Sequence, residues 1–264
     1  MQDNPDTSLE SACATLERAC VLMADTLKRA AKAERSLNKA AADGDLLRIR
    51  RLAEELAQHA PALADATRNA ASTWSWTPEK EIAYLETGYS HELIATGAAT
   101  GLRIDTIDGR LSAFPALVKI LPAQRTVRID TAKVTTLRPA KVVSRLKALQ
   151  QAKPRLNPER FIEVIFDAYT RIVAADNMSA GAGLQKIYDV LTLHPDMRRQ
   201  YDKNEFARDV HLLDRSGVRR TKSGHEIRFP AATGTKSQSG TFTIIDAAGH
   251  AHTYYAVRFQ ESAQ

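Results

Sequence analysis

The feature that most constrains the fold is a regular apolar spacing across residues 9–70. In the first part of this range, apolar or small side chains recur at alternating distances of four and three residues. They are Leu9, Cys13, Leu16, Cys20, Met23, Leu27, Ala30, Leu37 and Ala41, and Glu34 interrupts the series. This spacing is typical of a long helix whose apolar seam faces another helix.

A turn divides the pattern at Asp43-Gly44-Asp45. Gly44 suits a left-handed helix end and Asp45 suits the cap of a second helix. The spacing then resumes at Leu46, Ile49, Ala53, Leu56, Ala60, Leu63, Thr67 and Ala70. We therefore predict an antiparallel helical hairpin about 45 Å long, which is either a docking surface for a partner helix or a pair packed within its own domain.

The first hundred residues are predicted to form one helical domain, 1–100. Thr77-Pro78 is a typical helix start, and the third helix is expected to end near Gly97. Acidic residues outnumber basic ones by 15 to 11 in this part of the chain. Oligomerisation or partner docking is the predicted role of this domain.

The two cysteines, Cys13 and Cys20, lie seven residues apart on the first predicted helix. That spacing is two helical turns, about 10 Å, which is too far for a disulfide. We expect both to be reduced core residues.

Positive charge is concentrated between Arg110 and Arg155, where eleven Lys and Arg accompany one acid, Asp130. Asp108-Gly109 predicts a hairpin turn between short strands, and Pro139 predicts a helix start. We therefore expect a small, basic, β-containing segment over 101–155. A concentrated positive field favours a polyanion, an acidic protein partner or the acidic helical arm of the same chain as its counterpart.

The remainder, 156–264, predicts three helices followed by strands, which is the element order of a winged helix. Residues 150–157 are the candidate linker. In the helix predicted over 204–215, Phe206, Val210 and Leu213 form an apolar side. Arg208, His211 and Arg215 lie opposite, as in a recognition helix that enters a major groove.

These two regions supply the predicted nucleic-acid-binding residues. The set comprises Arg125, Arg128, Lys133, Arg138, Lys141, Arg145, Arg208, His211, Arg215, Arg219, Arg220, Lys222 and, at the predicted wing tip, Lys236. Phe114 is the sole aromatic residue between 101 and 155, which favours duplex backbone contact over base stacking.

Other motifs are interpreted as structural. Gly234-Thr-Lys236-Ser resembles a phosphate-binding loop but lacks the first glycine of that motif. His250 and His252 lack a third metal ligand at a suitable spacing, and His91-Glu92 lacks a nearby nucleophile. Glu163 and Asp167, one turn apart, are the sole candidates for a Mg²⁺-dependent nuclease. No cofactor, metal or small-molecule substrate is predicted.

The sequence therefore predicts an α+β protein with a helical hairpin, a small basic antiparallel sheet and a C-terminal winged-helix-like domain. No apolar run approaches the roughly 20 residues that span a bilayer, and the first residues lack the basic start of a signal peptide, so we expect a cytoplasmic protein without membrane contact. The predicted function is that of a non-catalytic, duplex-DNA-binding accessory subunit in a bacterial nucleic-acid-processing or genome-defence complex, with its N-terminal helices bound to a partner or a second copy. An assembly protein that binds acidic partners is the alternative, and a nuclease is the third candidate.

Overall fold

The computed structural model describes residues 8–153, 156–176, 181–230 and 240–261, and it is an α+β protein. Its contacts divide the chain into two compact units, residues 1–92 and 93–264. The predicted basic segment and the predicted winged-helix segment thus lie together in the second unit. Among the described residues, no helix is both long and apolar enough to cross a lipid bilayer.

The first unit is built on the predicted pair of long antiparallel helices. Its elements are α1 (Leu9–Asp43), α2 (Leu46–Thr73), α3 (Pro78–Thr87) and the start of α4 (Tyr89–Ala99), which continues into the second unit. Gly44 ends α1 with a φ of 69°, a left-handed conformation that glycine adopts without strain, and Asp45 caps α2 by accepting from the Arg48 amide. The turn chemistry of the sequence is therefore present as predicted.

The seam between α1 and α2 differs from the predicted one at every second position. Ala19, Ala33 and Ala40 are buried, whereas Cys20 and Leu27 are exposed. The contact thus uses residues one position earlier than expected. The prediction that both cysteines are core residues was wrong for the same reason. Neither is in a disulfide, and Cys13 is half-buried whereas Cys20 is exposed.

A five-stranded antiparallel sheet opens the second unit, and its strands follow chain order. They are β1 (Asp105–Ile107), β2 (Arg110–Ala113), β3 (Ala116–Leu121), β4 (Thr126–Ile129) and β5 (Ala132–Val134). One face carries Val118, Val127 and Ile129, all buried. Helix α5 (Pro139–Gln151), which contacts β3, buries Val142, Val143 and Leu146, so we place it against this apolar face.

The rest of the second unit surrounds a separate core. Its elements are α6 (Pro158–Asp176), β6 (Ala182–Gly183), α7 (Leu184–Leu191), α8 (Pro195–Gln200), α9 (Lys203–Arg215), β7 (His225–Arg228), β8 (Phe242–Ile245), β9 (Ala251–Tyr254) and β10 (Ala256–Glu261). Strand β10 lies between β6 and β7, while β8 and β9 form a hairpin that contacts α9. Phe206, Ile162 and Val257 are fully buried in this core. Ile107 and Leu117 join it from the second face of the five-stranded sheet, so that face points towards α9.

Candidate nucleic-acid interface

The sheet register aligns basic residues across neighbouring strands. Lys119 is directly opposite Arg128, and Arg128 is directly opposite Lys133. Arg110 on β2 is one residue beyond the last pair of the β2–β3 ladder, Leu111 with Val118, and so continues the row. Like charges directly opposite each other destabilise a sheet, so this row requires counter-charge.

Helix α9 supplies that counter-charge at its N-terminus. Arg110 Nη2 lies 2.5 Å from Asp202 Oδ2, and Arg128 Nη2 lies 3.5 Å from Glu205 Oε1. Asp202 and Glu205 also form the capping box of α9. Burial raises the pKa of Glu205 above its ordinary value, while the bond from the Asp202 amide and the two guanidinium groups oppose that rise.

Arg208 extends this network from the middle of α9. Its Nη1 lies 2.7 Å from Asp130 Oδ1 and its Nε lies 2.8 Å from Asp209 Oδ1. Tyr201 donates a hydrogen bond of 2.9 Å to the second oxygen of Asp209. We name Arg110, Arg128 and Arg208 with Asp130, Asp202, Glu205 and Asp209 the arginine–carboxylate network. It connects the sheet to α9 and encloses charges that the sequence suggested were free.

His211 is also inside the protein. It is 3% exposed, and its Nδ1 lies 2.9 Å from the hydroxyl of Tyr254, which donates in turn to Asp214. Its ring lies 4.5 Å from that of His252, and burial, with His252 next, lowers the pKa of His211. The predicted polar front of α9 is therefore covered by the sheet and the β8–β9 hairpin. A major groove would reach Arg208 and His211 only if those elements moved away.

The basic residues after α9 are exposed but interleaved with carboxylates. Arg219 lies 2.7 Å from Asp214, and the Lys222 amide donates to Glu163. Arg220 forms a β-bridge with Glu226. Arg215 is exposed in the last turn of α9. Lys236 falls outside the described residues.

Helix α5 presents a different kind of surface. Lys141, Ser144, Arg145 and Ala148 are exposed along one side of it, which we name the α5 outer face. Among the described residues, neither Lys141 nor Arg145 is paired with a carboxylate, and residues 131–153 contain no acid at all. Arg138 is half-buried before the first turn, and Lys133 is exposed on the edge strand β5.

The predicted basic surface is consequently split rather than continuous. The α5 outer face lies on the apolar side of the sheet, whereas the cross-strand row of Lys119, Arg128 and Lys133 lies on the side of α9. Arg125 is exposed in a left-handed conformation after the 3-10 turn Pro122–Gln124. The structure therefore brings Lys141 and Arg145 together but not the whole predicted set.

The sequence analysis did not identify the acidic residues that pair with Arg110 and Arg128 of the cross-strand row. Asp202 and Glu205 fit the capping-box spacing, a signal that locates the start of α9. That spacing does not reveal Arg110 and Arg128 as partners, because the pairing depends on the tertiary packing of α9.

The residues considered for metal chemistry have other contacts. Glu163 accepts the Lys222 amide at 2.7 Å, and His252 Nε2 lies 2.8 Å from Asp246. Glu92 accepts from the Leu9 and Glu10 amides, so it caps α1. In the described ranges, no group of three or more His, Cys, Asp and Glu is placed to hold a metal ion. No protein family, curated protein or solved structure matches the chain.

Proposed function

We propose that this chain is a non-catalytic, cytoplasmic accessory subunit of a bacterial nucleic-acid-processing or genome-defence complex, in which the α5 outer face contacts duplex DNA and the N-terminal helices contact a protein. The description of residues 156–264 as winged-helix-like is supported by the short strand β6 between α6 and α7 and by the position of β10 between β6 and β7. Reading of bases by α9 is not part of this proposal, because Arg208 and His211 are enclosed.

The observation that carries the proposal is the positive charge of α5, which no carboxylate neutralises in the part of the chain that the structure describes. Lys141 and Arg145 are one turn apart on the exposed side of a helix that lacks acids. Exposed cations without carboxylate partners gain free energy on meeting phosphates, because each phosphate neutralised releases condensed counterions. Ser144 and Ala148, between and beyond them, leave room for a backbone to approach.

The predicted binding is electrostatic and independent of sequence. Contacts by Lys141 and Arg145, with Arg138 before the first turn of the same helix, would neutralise roughly two to three phosphates. The slope of log K against log salt should then lie at about −2 to −3. The affinity for single-stranded DNA should fall less steeply with salt, because the slope per neutralised phosphate is smaller for single strands.

The test is a filter-binding titration of the full chain against a duplex of random sequence at several salt concentrations. Lys141→Ala/Arg145→Ala should weaken binding and reduce the magnitude of the slope by about 2. Lys32→Ala/Arg35→Ala is the matched control, since it also removes one exposed Lys and one exposed Arg from a helix. Equal binding by the α5 variant and the wild type would remove the α5 outer face from the proposal.

The assembly protein remains the second candidate because large apolar side chains are exposed on the N-terminal helices. Val21, Leu46 and Leu47 are 67%, 78% and 86% exposed. Absence of duplex binding even at low salt would favour this role, with the α5 outer face then meeting an acidic protein. Metal-dependent cleavage that is lost in Glu163→Gln would instead favour the nuclease.

A further inference from the structure

A histidine of α9 and a histidine of the β8–β9 hairpin lie against each other inside the second unit. The ring of His211 is 4.5 Å from the ring of His252, with an angle of 39° between the two planes. Phe114, in the turn between β2 and β3, lies 5.4 Å from His211 in an edge-to-face arrangement. We name His211 and His252 the histidine pair. Since one belongs to α9 and the other to β9, the pair lies where the hairpin packs on the helix.

The two members of the histidine pair differ in their access to water. His211 is 3% exposed, whereas the side chain of His252 is 33% exposed. His252 Nε2 lies 2.8 Å from Asp246 Oδ2, so a positive charge on His252 would be neutralised by this carboxylate and partly hydrated. A positive charge on His211 is disfavoured, because burial removes its hydration.

Hydrogen bonds assign the proton of the neutral His211 ring to one of its nitrogens. The Tyr254 hydroxyl donates to Asp214 Oδ2 at 2.9 Å, so its oxygen is left to accept a hydrogen bond from His211 Nδ1, also at 2.9 Å. Nδ1 therefore carries the proton, and Nε2 is the nitrogen that would take up a second one. Within the described ranges Nε2 makes no hydrogen bond that would stabilise this second proton.

Charged groups reach the histidine pair from both elements that form the contact. They are Asp214, Arg215 and Arg219 on the side of α9 and Arg103, Asp246 and His250 on the side of the hairpin. Both acids are engaged elsewhere, because Asp214 pairs with Arg219 at 2.7 Å and Asp246 with His252. Burial lowers the pKa of His211, the charge of His252 lowers it further, and Asp214 only partly opposes this change.

Protonation of both rings conflicts with the packed contact. Two positive charges would then lie about 4.5 Å apart, and one of them would be buried. Like charges at this distance repel, and the repulsion is screened least where water is excluded. Movement of the hairpin away from α9 would separate the rings and hydrate His211. Phe242 and Ile244 hold β8 in the core, so this opened state is a minor one at neutral pH.

We propose that the histidine pair is a pH-sensitive switch, which holds the β8–β9 hairpin on α9 while His211 is neutral and favours detachment of the hairpin once both rings are protonated. The opened state takes up a proton that the packed state excludes, so acid shifts the population towards opening. The pKa of His211 is lowered in the packed state and ordinary, about 6.5, in the opened state. The contact is therefore unaffected above about pH 6.5 and is weakened as the pH falls from there towards the lowered pKa.

Hydrogen exchange of the full chain, followed by mass spectrometry at several pH values, tests the switch. Protection of the amides of residues 242–254 should fall by up to about tenfold between about pH 7.5 and pH 5.5, after correction for the intrinsic exchange rate, because opening takes up one proton. The amides of β3 and β4 are the internal reference and should lose less protection. No loss in the hairpin, or an equal loss in the reference, would overturn the proposal.

Substitution of His211 removes the titrating ring from the helix side of the contact. His211→Asn places an amide near the position of Nδ1, where it can still donate to Tyr254, and the acid-induced loss of protection should disappear. His250→Gln is the matched control, because it removes a histidine of the same hairpin that lies outside the histidine pair, and it should keep the full loss. A loss that persists in His211→Asn would contradict the switch.

Proton NMR of the histidine rings gives a second measurement, which retains His211. The His211 ring of the wild type should titrate below the ordinary value of 6.5. His252→Gln, which keeps a donor for Asp246 but removes the facing charge, should move the pKa of His211 upwards. A wild-type pKa at or above the ordinary value, or no upward shift in His252→Gln, would also overturn the proposal. None of these measurements involves DNA, so their outcome is independent of the α5 outer face.

Discussion

At the scale of single residues, arginines that look alike in the sequence have different surroundings. Arg208 and Arg215 are seven residues apart on α9, and the sequence predicts the same role for both. In the structure Arg208 is 16% exposed between Asp130 and Asp209, whereas Arg215 is exposed. Burial is therefore what separates a structural arginine from one that is free to meet a ligand.

We predict that Arg208→Ala lowers the free energy of unfolding by about 2–4 kcal/mol, because it leaves Asp130 and Asp209 enclosed without their cation. Arg215→Ala should change it by no more than about 0.5 kcal/mol. Urea unfolding followed by circular dichroism measures both. Equal effects of the two substitutions would contradict the arginine–carboxylate network as a stabilising contact.

At the scale of elements, the sequence predicted the hairpin but not its seam. The four-and-three spacing, Gly44 and Asp45 located both long helices. The seam was ambiguous because apolar or small residues occupy adjacent positions, such as Ala19 beside Cys20 and Ala40 beside Ala41. Periodicity alone does not show which of two adjacent residues faces the other helix. The packing of the second helix determines which one is buried.

We predict that Ala40→Leu destabilises the protein by about 1–3 kcal/mol, because Ala40 is fully buried and the added atoms overpack the seam. Ala41→Leu should be nearly neutral, because Ala41 is exposed one position later. Thermal unfolding of the two variants compares them directly. The reverse order would mean that the seam follows the spacing originally expected from the sequence.

The candidate nucleic-acid interface, too, could be predicted from the sequence only in part. The strands, the Asp108-Gly109 turn and the start of α5 at Pro139 follow local signals, and each is present in the structure. The register that aligns Lys119, Arg128 and Lys133, and the acids that face this row, depend on residues distant in sequence. Local chemistry could therefore locate the basic segment but not show which of its cations are neutralised.

At the scale of the whole molecule, the charge of the chain is reorganised by folding. The segment from Arg110 to Arg155 has eleven bases and one acid, yet Arg110 and Arg128 face Asp202 and Glu205. The positive surface available to a polyanion is therefore smaller than the number of basic residues in this segment implies. What is left includes the α5 outer face, which we propose as the contact with DNA.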